Sequence, residues 1–328
     1  RFSGHLNASR KVVLPGDVLN EAAELARAMS ASQSRMLAHC QFEHFGVRRL
    51  LLKPLEAPAL DARNAGSLSH RVLAEAGRAG WREGIVDELL AAEWENVEES
   101  VKLDPVTSFD WELRRAQLND LVSIERERMA IDGHAPPRWF ELGFGHVREG
   151  DDPDSIQKGL TLPLPSGARI DASVLRGTVD RVDVLERNGA RLAVAVDYKS
   201  GKGWSYMKEM QEFADFQLPI YWAVLPLFGV EPVGAYFLGI NGGERHGVIR
   251  ADVADHFVLP GDKKVKRMDP DEFRGYMQDR TRVLIEHVAT LAEGRIEIAP
   301  RDGDCGYCEL RPVCRIGTFG VGGASDEA

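Results

Sequence analysis

At 328 residues the chain is long enough for one large domain or two ordinary ones, and 44% hydrophobic against 28% charged residues is the composition of a globular protein with a sizeable core. It contains no apolar run long enough to cross a bilayer and no secretory or lipidation signal, which argues against a membrane span or anchor. A net charge of −10 speaks against gripping duplex DNA over the whole surface, but an acidic cleft whose cations reverse the local sign stays open. With Arg1 rather than Met at its start, the chain reads as a cytoplasmic piece of something longer.

In chain order, residues 1–29 are mixed and read as a junction to an upstream body. Ser30 or Ser32 caps a short helix ending near Cys40, and Phe42 and Phe45 wedge its end into the core. Residues 58–66 read as a loop, and Ser67–Leu73 opens another helix. A long helical pattern covers about 110–131. Strand-rich runs follow at 139–145, 170–186 and 191–199, then helical sequence at 215–228 and 270–293. This order predicts an α/β fold with a central mixed sheet flanked by helices. The main domain would run 30–315, with a flexible tail at 316–328. Basic runs (Arg48-Arg49 with Lys53, Arg114-Arg115, and Lys263-Lys264-Val265-Lys266-Arg267) each read first as a solvated face.

The most informative segment is the pair of β-rich runs Gly177–Val184 and Arg191–Lys199 around Asn188-Gly189. Asn-Gly favours a two-residue type I′ turn, because both central residues need positive φ. Counting outward from Arg187 opposite Ala190 sets Asp180 across from Asp197. Facing like charges destabilise a sheet unless something positive sits between them, and Mg²⁺ or Mn²⁺ prefers oxygen ligands. Lys199 projects from the same face as Asp197, about 7 Å further along. Ala193 and Ala195 on that face leave room for a substrate or a covering helix, while Leu192, Val194, Val196 and Tyr198 face the core. Two carboxylates beside a lysine suit phosphodiester hydrolysis, with metal-bound water as nucleophile and the amine stabilising charge. A D-x-K triplet alone recurs by chance far more often than it signals a site.

Four cysteines remain: Cys40, and Cys305, Cys308 and Cys314 in a C-x2-C-x5-C cluster. In a reducing compartment this clustering favours a metal site over disulfides, and four thiolates suit zinc or an iron–sulfur cluster.

Six pieces in order (the Ser-rich helix before Cys40, Gly66-x3-His70, Gly177-x2-Asp180, Asp197-x-Lys199, Gln217-x3-Tyr221 and the terminal cysteines) resemble the RecB-like branch of the PD-(D/E)xK nucleases. The closest likeness is to the nuclease domain of AddB-type helicase–nuclease subunits, over about residues 30–315. The resemblance implies a restriction-endonuclease-like core and metal ligation by His70, Asp180, Asp197 and the Tyr198 carbonyl. It also implies catalysis by Lys199, with Gln217 and Tyr221 orienting the lysine and the DNA. Glu141 matches an acid common near the first strand, and Gln41 departs from a frequent proline. By the same resemblance the four cysteines hold a [4Fe–4S] cluster, with Zn²⁺ the alternative. The implied partners are single-stranded DNA and a helicase. The implied activity is exonucleolytic, in double-strand break repair and recombination. Arg181 and Asp183 accompany the motif without an evident role. The competing reading is a silent nuclease fold acting as a DNA-binding scaffold. Retention of facing acids with Lys199 and His70 favours activity.

Overall fold

The computed structural model describes residues 11–13, 16–52, 62–97, 102, 104–200, 203–297, 300, 305, 308 and 310–314. In chain order the elements begin with β1 (Lys11–Val13), α1 (Gly16–Arg27), β2 (Ala28–Ser30), α2 (Ala31–His39) and α3 (Gln41–Arg48). Next come α4 (Ala62–Arg78), α5 (Ile85–Glu95), α6 (Pro105–Met129), β3 (Pro137–Phe144) and β4 (Leu160–Pro163). The hairpin β5 (Ala172–Arg187) and β6 (Ala190–Lys199) leads to α7 (Gly203–Gln211), α8 (Gln217–Val224) and β7 (Glu231–Gly239). Last are β8 (Arg245–Arg250), β9 (Val265–Met268), α9 (Pro270–Ala292), β10 (Arg295–Glu297) and α10 (Arg311–Cys314). None of the described helices is long and apolar enough to cross a membrane.

The chain divides into two compact units: residues 1–56, 161–175 and 282–328 in the smaller, and 57–160 with 176–281 in the larger. In the smaller unit Ser30 caps α2 as expected. Its Oγ accepts the Gln33 N–H at 3.2 Å, and Gln33 Oε1 accepts the Ser30 N–H at 3.1 Å, a reciprocal capping box. Extended Cys40, with φ −162°, separates α2 from α3. Phe45 is buried, and β1 pairs antiparallel with β10.

The larger unit is built on a sheet whose strands run β3, β5, β6, β7, β8, β9. The β6–β7 and β8–β9 pairs are parallel and the others antiparallel. Parallel β6 and β7 require a crossover, which α7 and α8 supply. One face, bearing Val194, Val196, Tyr198, Tyr236 and Leu238, packs with apolar residues of α4, α5 and α6. On the other, α8 lies over β6 and β7 and α7 over β7 and β8. Ala193 and Ala195 are fully buried, so their small size admits a helix rather than a substrate.

Some boundaries depart from the sequence expectation. Helix α4 starts at Ala62, so 62–66 are helical rather than loop, and 58–61 lie outside the described residues, as do Lys53 and the 316–328 tail. Part of 1–29 is the helix α1. Residues 229–269, assigned no element from the sequence, form β7, β8 and β9. Glycines hide the pattern there because close backbone approach demands them. A Cβ at Gly247 would sit 2.3 Å from the Ala235 carbonyl oxygen, and one at Gly234 2.8 Å from Ile249.

Beneath the sheet, Arg181 and Asp183 find the role their sequence left open. Arg181 Nε and Nη2 donate to Asp183 at 2.6 and 2.8 Å, and Arg128 Nη2 donates to Asp183 Oδ2 at 2.9 Å. Glu125 accepts from Arg181 at 2.7 Å, from Arg128 at 3.1 Å and from Arg245. Four of these five side chains show no solvent exposure and Arg245 only 1%. Removing one partner strands a buried charge, so Asp183→Asn should destabilise the fold by about 3–5 kcal/mol. Denaturant unfolding would read this as a lower midpoint, and an unchanged midpoint would refute the ascribed role.

Candidate metal and nuclease site

Asn188 and Gly189 both take left-handed φ, 52° and 77°, as the two-residue turn requires. From Arg187–Ala190 the ladder runs in one register to Arg181–Val196. The next step sets Asp180 beside Asp197, and here the backbone ladder gives way to a side chain. Asp180 Oδ2 accepts the Tyr198 N–H at 2.7 Å. Both acids are buried, Asp180 7% and Asp197 2% exposed.

A third acid joins them from β3. Phe140 pairs with Arg181 and Leu142 with Val179, which makes Asp180 the neighbour of Glu141. Glu141 adopts φ +55°, a left-handed conformation that side chains rarely tolerate and that costs on the order of 1–3 kcal/mol. From α4, His70 brings Nδ1 to 3.4 Å from Asp180 Oδ1. One ligand atom each of His70, Glu141 and Asp180 lie within 4.8 Å of one another. The His70 ring meets the Tyr198 ring edge-on, centroids 5.9 Å apart, which fixes its orientation. In the sequence Glu141 stands only as an acid near the first strand, and the strand register alone shows which acid it faces.

The protonation equilibria record a shortage of positive charge. Burial and the neighbouring Asp180 push Glu141 up to about 8, against the pull of His70 and Arg78. Burial also lifts Asp197, to about 6, with Asp180 adding to it and Lys199 opposing. His70 is buried too, which disfavours its charge, but Asp180 overrides this and raises it to about 9. For Asp180 burial is outweighed by His70, Lys199 and the Tyr198 N–H, and its carboxyl is held below the usual range. Glu141 Oε1 is buried without a hydrogen-bond partner among the described residues. An imidazole, clustered carboxylate oxygens and one of them unsatisfied fit a hard divalent cation.

Lys199 sits beside this cluster. Its Nζ lies 2.6 Å from Asp197 Oδ2 and donates to Gln217 Oε1 at 2.7 Å, while Gln217 Nε2 donates to Asp197 Oδ1 at 3.3 Å. Although burial works against its charge, Asp197 raises its pKa, so the amine is a cation and donor rather than a base. The rings of Tyr206 and Phe237 flank it at 4.8 and 5.2 Å. Gln217 opens α8, so Pro219 falls in the first turn, where its missing N–H has no internal partner to lose. Asp215 Oδ1 accepts the Gln217 N–H at 2.8 Å and stabilises the Lys199 charge, a part its sequence context did not announce. Tyr221 is buried, and with Asp197 and Asp180 nearby its phenol stays protonated.

The four cysteines are free and half-buried, all in the smaller unit. Burial raises the Cys40 thiol, with Cys314 contributing; burial likewise raises Cys308, with Cys305 and Cys314 contributing. The thiols are therefore close enough to sense one another's charge. Leu310, between Cys308 and Cys314, lies against Gly46 of α3, where a Cβ would stand 2.4 Å from Leu310 Cδ1. Four thiols supply the ligand type of a thiolate-ligated metal centre, but among the described residues only His70, Glu141 and Asp180 gather at ligand distance.

Comparison with known proteins identifies the family. The family model of the PD-(D/E)XK nuclease superfamily matches residues 28–315. The chain is 25% identical to an ATP-dependent helicase/deoxyribonuclease subunit of the AddB type from Symbiobacterium thermophilum, over 89% of its own length and 30% of that protein. It is 26% identical to the same-named protein of Desulforudis audaxviator over 87% of the chain and 29% of that protein. With the one from Lacticaseibacillus casei it shares 32% identity over 53% of the chain and 15% of that protein. The chain thus spans under a third of each of these relatives. A mixed sheet flanked by helices and a family match across most of the sequence lead to one conclusion: this chain belongs to the PD-(D/E)XK nuclease superfamily.

Proposed function

We propose that this chain is a Mg²⁺- or Mn²⁺-dependent deoxyribonuclease, an exonuclease on single-stranded DNA that works with a helicase in double-strand break repair and recombination. One observation carries the reading. The Lys199 amine is clamped between Asp197 and Gln217 beside the cluster of His70, Glu141 and Asp180. The helicase partnership draws on relatives named for a combined helicase/deoxyribonuclease.

In this reading His70, Glu141, Asp180, Asp197 and the Tyr198 carbonyl hold the cation. When bound it would lower the pKa of a water molecule and neutralise charge on the phosphate. Lys199, protonated throughout, donates to the phosphate oxygen on which charge builds. Gln217 holds the amine in line by accepting from it, and Tyr221 offers a phenolic O–H to the bound strand. With Mg²⁺ or Mn²⁺ the chain should shorten end-labelled single-stranded DNA. Lys199→Ala and Asp197→Ala should each reduce kcat/KM about 10²–10³-fold with unchanged far-UV circular dichroism. Binding of DNA without metal-dependent cleavage would instead mark a silent scaffold.

Metal binding should release protons. Glu141 and His70, raised to about 8 and about 9, are largely protonated at pH 7 and must lose that proton to bind a cation. Apparent Mn²⁺ affinity should therefore rise with pH from 6 to 8.5. Calorimetry in buffers of different ionisation enthalpy counts the protons, and none released at pH 7 would refute the ligand set. Glu141→Gln should weaken Mn²⁺ binding about tenfold or more.

We further assign the four cysteines to a [4Fe–4S] cluster that ties Cys40 to the Cys305–Cys314 segment. The order of the cysteines, one before the nuclease core and three after it, resembles the RecB-like pattern and implies iron–sulfur over zinc. Anaerobically purified protein should be brown, with four iron and four sulfide per chain. Cys40→Ser should lose the colour and lower the unfolding midpoint. A colourless protein with one zinc would overturn the assignment.

A further inference from the structure

The sheet face that carries the acids continues sideways into a feature the nuclease centre does not use. Asp197 pairs with Phe237, and Phe237 with His246. The Gly247–Val265 pair then sets Lys264 beside His246. One row further, Ala195, Ala235, Val248 and Lys266 line up the same way. Paired residues of neighbouring strands point to one side, so Lys264 and Lys266 share the face of Asp197, three strand spacings or about 14 Å away. Of the basic run 263–267, Val265 turns inward to the core and Arg267 pairs with Asp255 at 2.8 Å.

Between β9 and α7 the face opens into a cavity of about 340 Å³, ringed by Lys208, Lys264 and Lys266 and floored by His246 and Val248. Three ammonium groups thus surround one cavity in a chain of net charge −10. Each lysine leans on an exposed acid: Lys264 on Glu244 and Lys266 on Glu272, both at 2.7 Å, and Lys208 on Glu212 at 3.7 Å. All three lysine side chains are more than half exposed. Such exposed surface pairs are weak, so each amine can exchange its carboxylate for a stronger acceptor at little cost. Helix α7 links the two centres, with Tyr206 beside Lys199 and Lys208 at the cavity.

We propose that this lysine-ringed cavity holds backbone phosphates of the substrate strand, a few nucleotides from the bond cleaved at Lys199. The identity of the ligand rests on the nuclease reading; the anion site rests on the cavity alone. A row of cations beside the chemistry is how a single strand is tracked without reading its sequence. The strand would gain affinity from this site while the reacting phosphate is handled elsewhere.

The test uses the full 328-residue chain with Lys208, Lys264 and Lys266 all changed to Gln, and a second variant with all three changed to Arg. With EDTA present to prevent cleavage, the Kd of a fluorescent ~20-nucleotide single strand should rise about tenfold in the Gln variant, and log K against log[salt] should flatten by roughly 2. The Arg variant should bind like the parent. With Mg²⁺, hydrolysis of bis(p-nitrophenyl) phosphate, too small to reach the cavity, should be unchanged. Unaltered oligonucleotide affinity and salt slope in the Gln variant would overturn the proposal, as would equal loss of small-diester hydrolysis. Weakened binding of inorganic phosphate with intact oligonucleotide binding would make the cavity a small-anion site and also overturn it. If the parent hydrolyses neither substrate, the nuclease reading fails, while the binding comparison still decides the cavity.

Discussion

Glu141, Asp180 and Asp197 stand on three adjacent strands, and their mutual repulsion in a buried setting is what the rest of the site is arranged around. Each nearby positive group answers part of it. His70 offsets Asp180, Lys199 offsets Asp197, and the Tyr198 N–H supplies Asp180 with a further donor. For Glu141 the pull of His70 and Arg78 is outweighed by burial and Asp180, its Oε1 finds no hydrogen-bond partner among the described residues, and it keeps its proton to about 8. The balance is incomplete by roughly one cation, which is the condition under which a divalent ion binds without first breaking the structure around it. The left-handed backbone at Glu141 belongs to the same arrangement, as strain held within the acid cluster by its surroundings.

Strand β5 serves two purposes by alternation alone. Asp180 points to the acid cluster; Arg181 and Asp183 point to the opposite face and join Glu125, Arg128 and Arg245 in a buried ion network. Arg181 Nη1 also lies 3.5 Å from the Tyr198 hydroxyl, so the network reaches the residue whose backbone meets Asp180. Two charged systems on opposite faces of one strand constrain its register from both sides. A slip by one residue would send each set to the wrong face. Helix α6 supplies Glu125 and Arg128 and β8 supplies Arg245, which draws distant segments onto the hairpin.

The hairpin was legible because its information is local. A two-residue Asn-Gly turn has one favoured geometry, and period-two alternation carries it outward to Asp180 and Asp197 without help from the rest of the chain. Gln217 and Tyr221 were legible as a helix face, and Ser30 as a cap, for similar reasons. Strands β7 to β9 were not. Their pairing depends on glycines that admit close backbone approach, and the short edge strand β9 alternates lysine with valine in a way that reads equally as a solvated loop.

By itself, then, the amino-acid order determined the turn, the facing of two acids, the lysine two residues on and the clustering of three cysteines, since each is set by neighbours within a few positions. Only tertiary structure decided that Glu141 completes the cluster with His70, that Gln217 bridges Asp197 and Lys199, and that Arg181 and Asp183 are core charges rather than site residues. Lys266 of β9, with Lys264 just before it, likewise came to share a face with Asp197 through four paired strands. These outcomes depend on strand order and on which helix packs where, and burial of apolar surface by the whole chain selects among arrangements that local preference leaves equivalent.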